Sequence, residues 1–154
     1  MHLKKYSIII PVYNRPEEMK EMLQSLENQT QQDFELVIVE DGSLMKSDTL
    51  INQFNLDIQY HFKPNTGPGD SRNVGMALSS GDYLLFFDSD CVLPDNYFEQ
   101  LSEQIDLLKP DAFGGPDAAH DSFTDTQKAI NYAMTSFFTT GGIRGGKKQL
   151  DTYQ

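Results

Sequence analysis

The most constraining feature of the chain is the run Tyr83-Leu84-Leu85-Phe86-Phe87, which ends without transition in Asp88-Ser89-Asp90. Five consecutive large apolar side chains leave no polar face. The run therefore predicts a strand buried on both sides, as in a parallel sheet covered by helices. A carboxylate directly after such a strand lies at its C-terminal end, where open α/β sheets place their ligands. In an extended chain, residues i and i+2 point to the same side, roughly 6.6 Å apart. Two like charges at that distance repel by on the order of 2 kcal/mol at an effective dielectric of about 20. A divalent cation converts the repulsion into a binding site, so Asp88 and Asp90 form a candidate Mg²⁺ or Mn²⁺ site with hard oxygen ligands facing a phosphate.

The rest of the chain supplies the layers such a strand needs. Tyr6–Val12 (YSIIIPV) and Phe34–Val39 (FELVIV) read as strands, and Ile58–Phe62 alternates apolar and polar residues as a half-exposed strand does. A helix is expected from Pro16, with acids in its first turn and Met19, Met22, Leu23 and Leu26 on one stripe. A shorter helix is expected around Leu44, Leu50, Ile51 and Phe54. Another is expected over 70–79 with Val74, Ala77 and Leu78 inward. A fourth carries Phe98, Leu101, Ile105 and Leu108, with Asp95 as its cap and Pro110 as its end. A short strand is expected over 112–115. Strand and helix thus alternate about four times, which predicts a doubly wound, Rossmann-like three-layer α/β/α fold on a mainly parallel sheet. The chain divides into a ligand-binding domain over 1–115 and a second region over 116–154.

A length of 154 residues suits one domain with a real core. The formal charge of −11 excludes nucleic acid and anionic membrane surfaces as partners held by a general field. It leaves phosphate ligands open, because a bound cation reverses the local sign. The single cysteine, Cys91, excludes an intrachain disulfide and fits a reducing compartment. With no apolar run of membrane-spanning length, the expected location is the cytoplasm, including a peripheral position at the inner face of a membrane.

Three strand ends carry polar groups: Tyr13-Asn14, Glu40-Asp41 and Asp88-Ser89-Asp90. In a parallel sheet these ends share one rim and converge on one crevice. Asp41 before Gly42-Ser43 serves equally well as a turn former. Asp88 with Asp90 points to a site, since one carboxylate suffices for a cap. Arg72, after a glycine-rich loop, is placed to reach a pyrophosphate or to hold Asp88, although a solvated helix position accounts for it too. Gly67-Pro68-Gly69-Asp70-Ser71-Arg72 lacks the third glycine of a dinucleotide loop and follows the third strand, which excludes that reading.

In these motifs the chain resembles the family 2 glycosyltransferases of the GT-A fold, matching at Ser7–Arg15, at Val37–Ser43, at Asn65-Thr66-Gly67 with Arg72-Asn73, and at Phe87–Asp90. The resemblance implies a nucleotide-diphospho-sugar donor (UDP- or GDP-linked), a saccharide or lipid-linked acceptor, and inversion at the anomeric carbon. Pro11 and Tyr13 would line the base pocket. Asp41 would bond the nucleobase with Glu40 close by, and Arg72 would sit near the diphosphate or orient Asp88. Asp88 would hold ribose or the metal, with Ser89 beside it. Asp90 would coordinate the Mn²⁺ or Mg²⁺ that bridges the phosphates. An inverting transfer also needs a general base. The family's Glu-Asp pair has no counterpart from Pro116 to Gln154, where Asp117 and Asp121 fit poorly. The chain is therefore expected to be the donor-binding portion of a longer enzyme and to turn over negligibly by itself. Its C-terminal region is expected to be mobile or to self-associate into a homo-oligomer. Two competing readings stand beside this one. Asp88-Ser89-Asp90-Cys91-Val92 fits the opening of a haloacid dehalogenase phosphatase with Asp88 as nucleophile, and the chain also fits a non-catalytic nucleotide-sugar-binding module.

Overall fold

The computed structural model describes residues 5–114. Eight elements alternate along it: β1 (Tyr6–Val12), α1 (Pro16–Glu27), β2 (Phe34–Asp41), α2 (Asp48–Ile51), β3 (Ile58–Lys63), α3 (Pro68–Leu78), β4 (Tyr83–Phe86) and α4 (Tyr97–Leu108). The strands form one all-parallel sheet in the order β3-β2-β1-β4. All eight elements lie in the first of two compact units, Met1–Lys109. The expectations for Pro116–Gln154, including Asp117, Asp121 and self-association, lie outside the described residues.

The strand period of two sorts the core into two faces. Ile8, Ile10 and Val12 of β1, with Leu36 and Ile38 of β2, pack on Met19, Met22, Leu23 and Leu26 of α1 and on Phe98 and Ile105 of α4. Ile9, Val37 and Val39 face the other way, against Val74 and Leu78 of α3. Each of these large buried side chains contributes on the order of 2 kcal/mol. Pro11 is tolerated inside β1 for a positional reason. The Ile9 carbonyl accepts from the Phe87 N–H on the β4 side. Pro11, two residues on, faces that same side, where β4 has already ended at Phe86, so its missing N–H breaks no ladder bond.

Several expectations need correction. β4 is not buried on both faces: Leu85 is buried, but Leu84 and Phe86 are 36% and 46% exposed. Among the described residues it is an edge strand, and α3 packs on β1 and β2 rather than on it. α3 starts at Pro68, and its inward stripe is Ser71, Val74, Gly75 and Leu78, with Ala77 exposed. Close approach sets that stripe, since a Cβ on Gly75 would lie 2.3 Å from Cγ2 of Ile9. α2 is a single turn, and Leu44 is exposed outside it. Asn96, not Asp95, is the N-cap residue of α4, without a side-chain capping bond, and Leu108 is exposed. No strand forms over 112–114.

Candidate donor-binding cleft

The parallel order brings the C-terminal ends of all four strands to one rim. A cleft of about 410 Å³ opens there, lined by Pro11, Val12, Tyr13 and Arg15 after β1, Asp41 of β2, and Asn65, Gly67 and Pro68 after β3. Asp88, Ser89 and Asp90 after β4 complete the lining. Tyr13 is half exposed and Ser89 is buried.

At the β2 end the carboxylates are internal. Asp41 is 3% exposed. One of its oxygens is bonded by Lys63 Nζ at 2.5 Å and by the Thr66 N–H at 2.9 Å, and the other by the Gly67 N–H at 2.9 Å. Burial pushes its carboxyl upward, but the bonds from Lys63, Thr66 and Gly67 outweigh that and hold it below the ordinary carboxylate value. Burial likewise pushes the Lys63 ammonium down, and its bonds to Asp41 and Asp70 outweigh this and leave it raised. Lys63 also donates to Thr66 Oγ1, which donates in turn to Asp70. Gly42 permits this docking. Its φ is +72°, and a Cβ there would come within 2.5 Å of the Asn65 backbone nitrogen.

Glu40 is fully buried and does not line the cleft. It accepts from the Ser43 hydroxyl, from the Ser47 N–H at 2.9 Å and from the Tyr60 hydroxyl at 3.4 Å. Burial, and then the Glu40 charge, raise the Tyr60 phenol above its ordinary value. Glu40 thus shapes the loop after β2. Asn14 shapes the same loop from the β1 side. With φ at +54°, it donates its N–H to Ser43 Oγ and accepts from the Leu44 and Met45 N–H groups.

At the β4 end the carboxylates are external and each is paired with an arginine. Arg72 Nη2 lies 2.7 Å from Asp88 Oδ1, and Arg15 Nη1 lies 2.8 Å from Asp90 Oδ2. The Asp88 and Asp90 side chains are 68% and 52% exposed. Each bond uses a single carboxylate oxygen. Among the described residues, no group of three or more His, Cys, Asp or Glu side chains is assembled to hold a metal. Two hard carboxylates suit Mg²⁺ or Mn²⁺, which keeps several waters and shares a diphosphate, and do not form an all-protein cage.

Of the residues singled out in the sequence, Pro11, Tyr13, Asp41, Asp88, Ser89 and Asp90 meet in the cleft, whereas Glu40 and Arg72 do not line it. Sequence reasoning passed over Arg15 and Lys63. Arg15 lies inside the Ser7–Arg15 motif, directly before the helix expected from Pro16. Lys63 ends β3 on the same rim, and the convergence argument applied to the third strand would have found it.

The model of the family described as glycosyl transferase family 2 matches residues 7–153, and the chain belongs to that family. An uncharacterized glycosyltransferase of Rickettsia bellii is 42% identical over 97 residues, which are 62% of this chain and 14% of that protein. The poly(ribitol-phosphate) beta-glucosyltransferase of Bacillus spizizenii is 30% identical over 152 residues, covering 90% of this chain and 24% of its own length. The chain thus spans under a quarter of either relative. The crystal structure of S. aureus TarS 1-349 in complex with UDP-GlcNAc superposes with a TM-score of 0.65 at 26% identity, over 77% of this chain and 38% of that one. The Pyrobaculum calidifontis mannosyltransferase PcManGT shares the fold, with a TM-score of 0.62 at 17% identity over 75% of this chain and 35% of that one. The described sheet and helices are accordingly the α/β core of a GT-A fold. Family membership also weighs against the phosphatase reading, whose motif belongs after a first strand rather than after this fourth, edge strand.

Proposed function

We propose that this chain binds a nucleotide-diphospho-sugar in the cleft and serves an inverting glycosyl transfer to an acceptor hydroxyl. The observation that carries the reading is the meeting of Tyr13, Asp41 and the Asp88–Asp90 pair around one cleft, from strand ends far apart in sequence. The UDP-GlcNAc bound by the TarS structure is a donor of the class proposed. Pro11 and Tyr13 offer an apolar wall and a ring for the base. Asp41, rigidly held, presents an acceptor edge to a base N–H. Asp88 and Asp90 would hold a divalent cation, which supplies Lewis-acid stabilisation of the diphosphate as it leaves. In the transfer, the acceptor oxygen bonds to the anomeric carbon as the bond to the diphosphate oxygen breaks. The nucleoside diphosphate departs, and the hydroxyl proton passes to a general base. None of the acids lining the cleft is proposed for that role, since Asp41 is held by Lys63, Asp88 by Arg72 and Asp90 by Arg15.

Calorimetry with UDP, GDP, UDP-GlcNAc and GDP-mannose, each with and without Mn²⁺, tests the reading. Metal-dependent binding of at least one of them is expected. Absence of binding by all four with Mn²⁺ present overturns it.

A further inference from the structure

Arg15 differs from the other cations of the site in where it stands. Every carboxylate lining the cleft has its own cation: Lys63 for Asp41, Arg72 for Asp88 and Arg15 for Asp90. Lys63 is buried, and Arg72 projects from α3 outside the cleft lining. Arg15 lines the cleft itself, with its side chain 49% exposed, and so occupies the space a ligand would enter.

Its backbone, by contrast, is anchored. Arg15 is the N-cap residue of α1, and its carbonyl accepts from the Met19 N–H at 3.1 Å. The preceding Asn14 is bonded to the loop after β2 through both backbone and side chain. A guanidinium on a fixed pivot and in solvent can change partners without disturbing the fold. An exposed ion pair of this kind is weak, worth a few-fold in an equilibrium. A diphosphate offers the planar fork a better partner than one carboxylate oxygen does.

Building on the donor-binding reading above, we propose that Arg15 is an exchange residue, which neutralises Asp90 in the ligand-free protein and moves to the donor's diphosphate when a divalent cation takes its place on Asp90. Metal and diphosphate then assist each other's binding. The diphosphate draws off the arginine that competes for Asp90, and by linkage the metal strengthens diphosphate binding equally. A charge-balanced cleft takes up little divalent cation by itself.

The experiment titrates Mn²⁺ alone, followed by the loss of the free-ion EPR signal, and then UDP at saturating Mn²⁺, into the full chain as wild type, Arg15→Ala and Arg15→Lys. Removing the competitor should tighten Mn²⁺ binding by Arg15→Ala about threefold or more. The same variant should bind UDP at saturating Mn²⁺ about tenfold more weakly, having lost a charge-assisted bond to phosphate. Arg15→Lys should fall between wild type and Arg15→Ala in both titrations. These opposite signs are the signature, because a merely structural Arg15 would weaken both. Unchanged or weaker Mn²⁺ binding by Arg15→Ala, with wild type still binding UDP and Mn²⁺, overturns the exchange while leaving the donor-binding reading intact. Failure of wild type to bind UDP, GDP or their sugar donors with Mn²⁺ overturns both.

Discussion

Two acidic pairs sit at the ends of two strands on the same rim, and they are built for different work. Glu40-Asp41 closes β2 inside the protein, with backbone N–H groups, hydroxyls and a buried ammonium meeting its oxygens. Asp88 and Asp90 follow the edge strand β4 in solvent, each held through one oxygen by an arginine. The first pair organises the loops after β2 and β3. The second keeps one oxygen of each carboxylate free of its arginine, in solvent. Similar carboxylates at equivalent strand ends thus divide into an internally bonded pair and a solvent-facing pair, and burial makes the division.

That contrast can be broken by substitution. Asp41→Ala takes from the buried Lys63 ammonium its closer, buried carboxylate, leaving it only Asp70, and strands the Thr66 and Gly67 N–H donors. It should cost about 3–5 kcal/mol of stability, measured by urea unfolding. A loss below about 1 kcal/mol would mean that the pair is not the anchor described. Glu40→Ala strands the Ser43 and Ser47 donors and should cost about 1–3 kcal/mol by the same measurement.

The pH dependence sharpens the point. Because the folded Asp41 carboxyl lies below its ordinary value, its stabilisation is present above that value and lost as pH falls through the folded one. The Lys63 ammonium is raised, so its contribution is complete at neutral pH and is lost only as pH rises through its folded value. Melting temperature should therefore fall between about pH 5 and pH 2 more steeply in wild type than in Asp41→Asn. Equal slopes would remove Asp41 from the account.

Asp90→Asn should produce the smallest change in stability, within about 0.5 kcal/mol, because it loses only an exposed ion pair. The same variant should lose the Mn²⁺-dependent part of UDP binding in calorimetry. A stability loss matching that of Asp41→Ala would erase the distinction between the two strand ends.

The sequence showed the contrast only in part. Hydrophobic periodicity located the three major helices and the strands, since burial of one stripe or face is written directly into residue spacing. The rim, too, was legible, because parallel strands with helical crossovers place all their C-terminal ends together. Exposure was not. The run Tyr83–Phe86 is as apolar as a central strand, yet among the described residues β4 lies at the edge of the sheet with Phe86 half exposed. Nor did the sequence tell which acid is satisfied internally. Glu40 and Asp41 acquire partners from Ser47, Tyr60, Lys63, Thr66 and Gly67, all brought in by folding.

By itself, then, the sequence determined the alternation of elements, the parallel sheet and the apolar run ending in Asp88-Ser89-Asp90, because local spacing and strand-end chemistry are properties of neighbouring residues. Tertiary structure alone decided that this run lies at the edge of the described sheet, that Arg72 holds Asp88 and that Arg15 stands in the cleft on Asp90. Strand order and long-range ion pairing join residues 16 and 75 positions apart, and no local pattern encodes them.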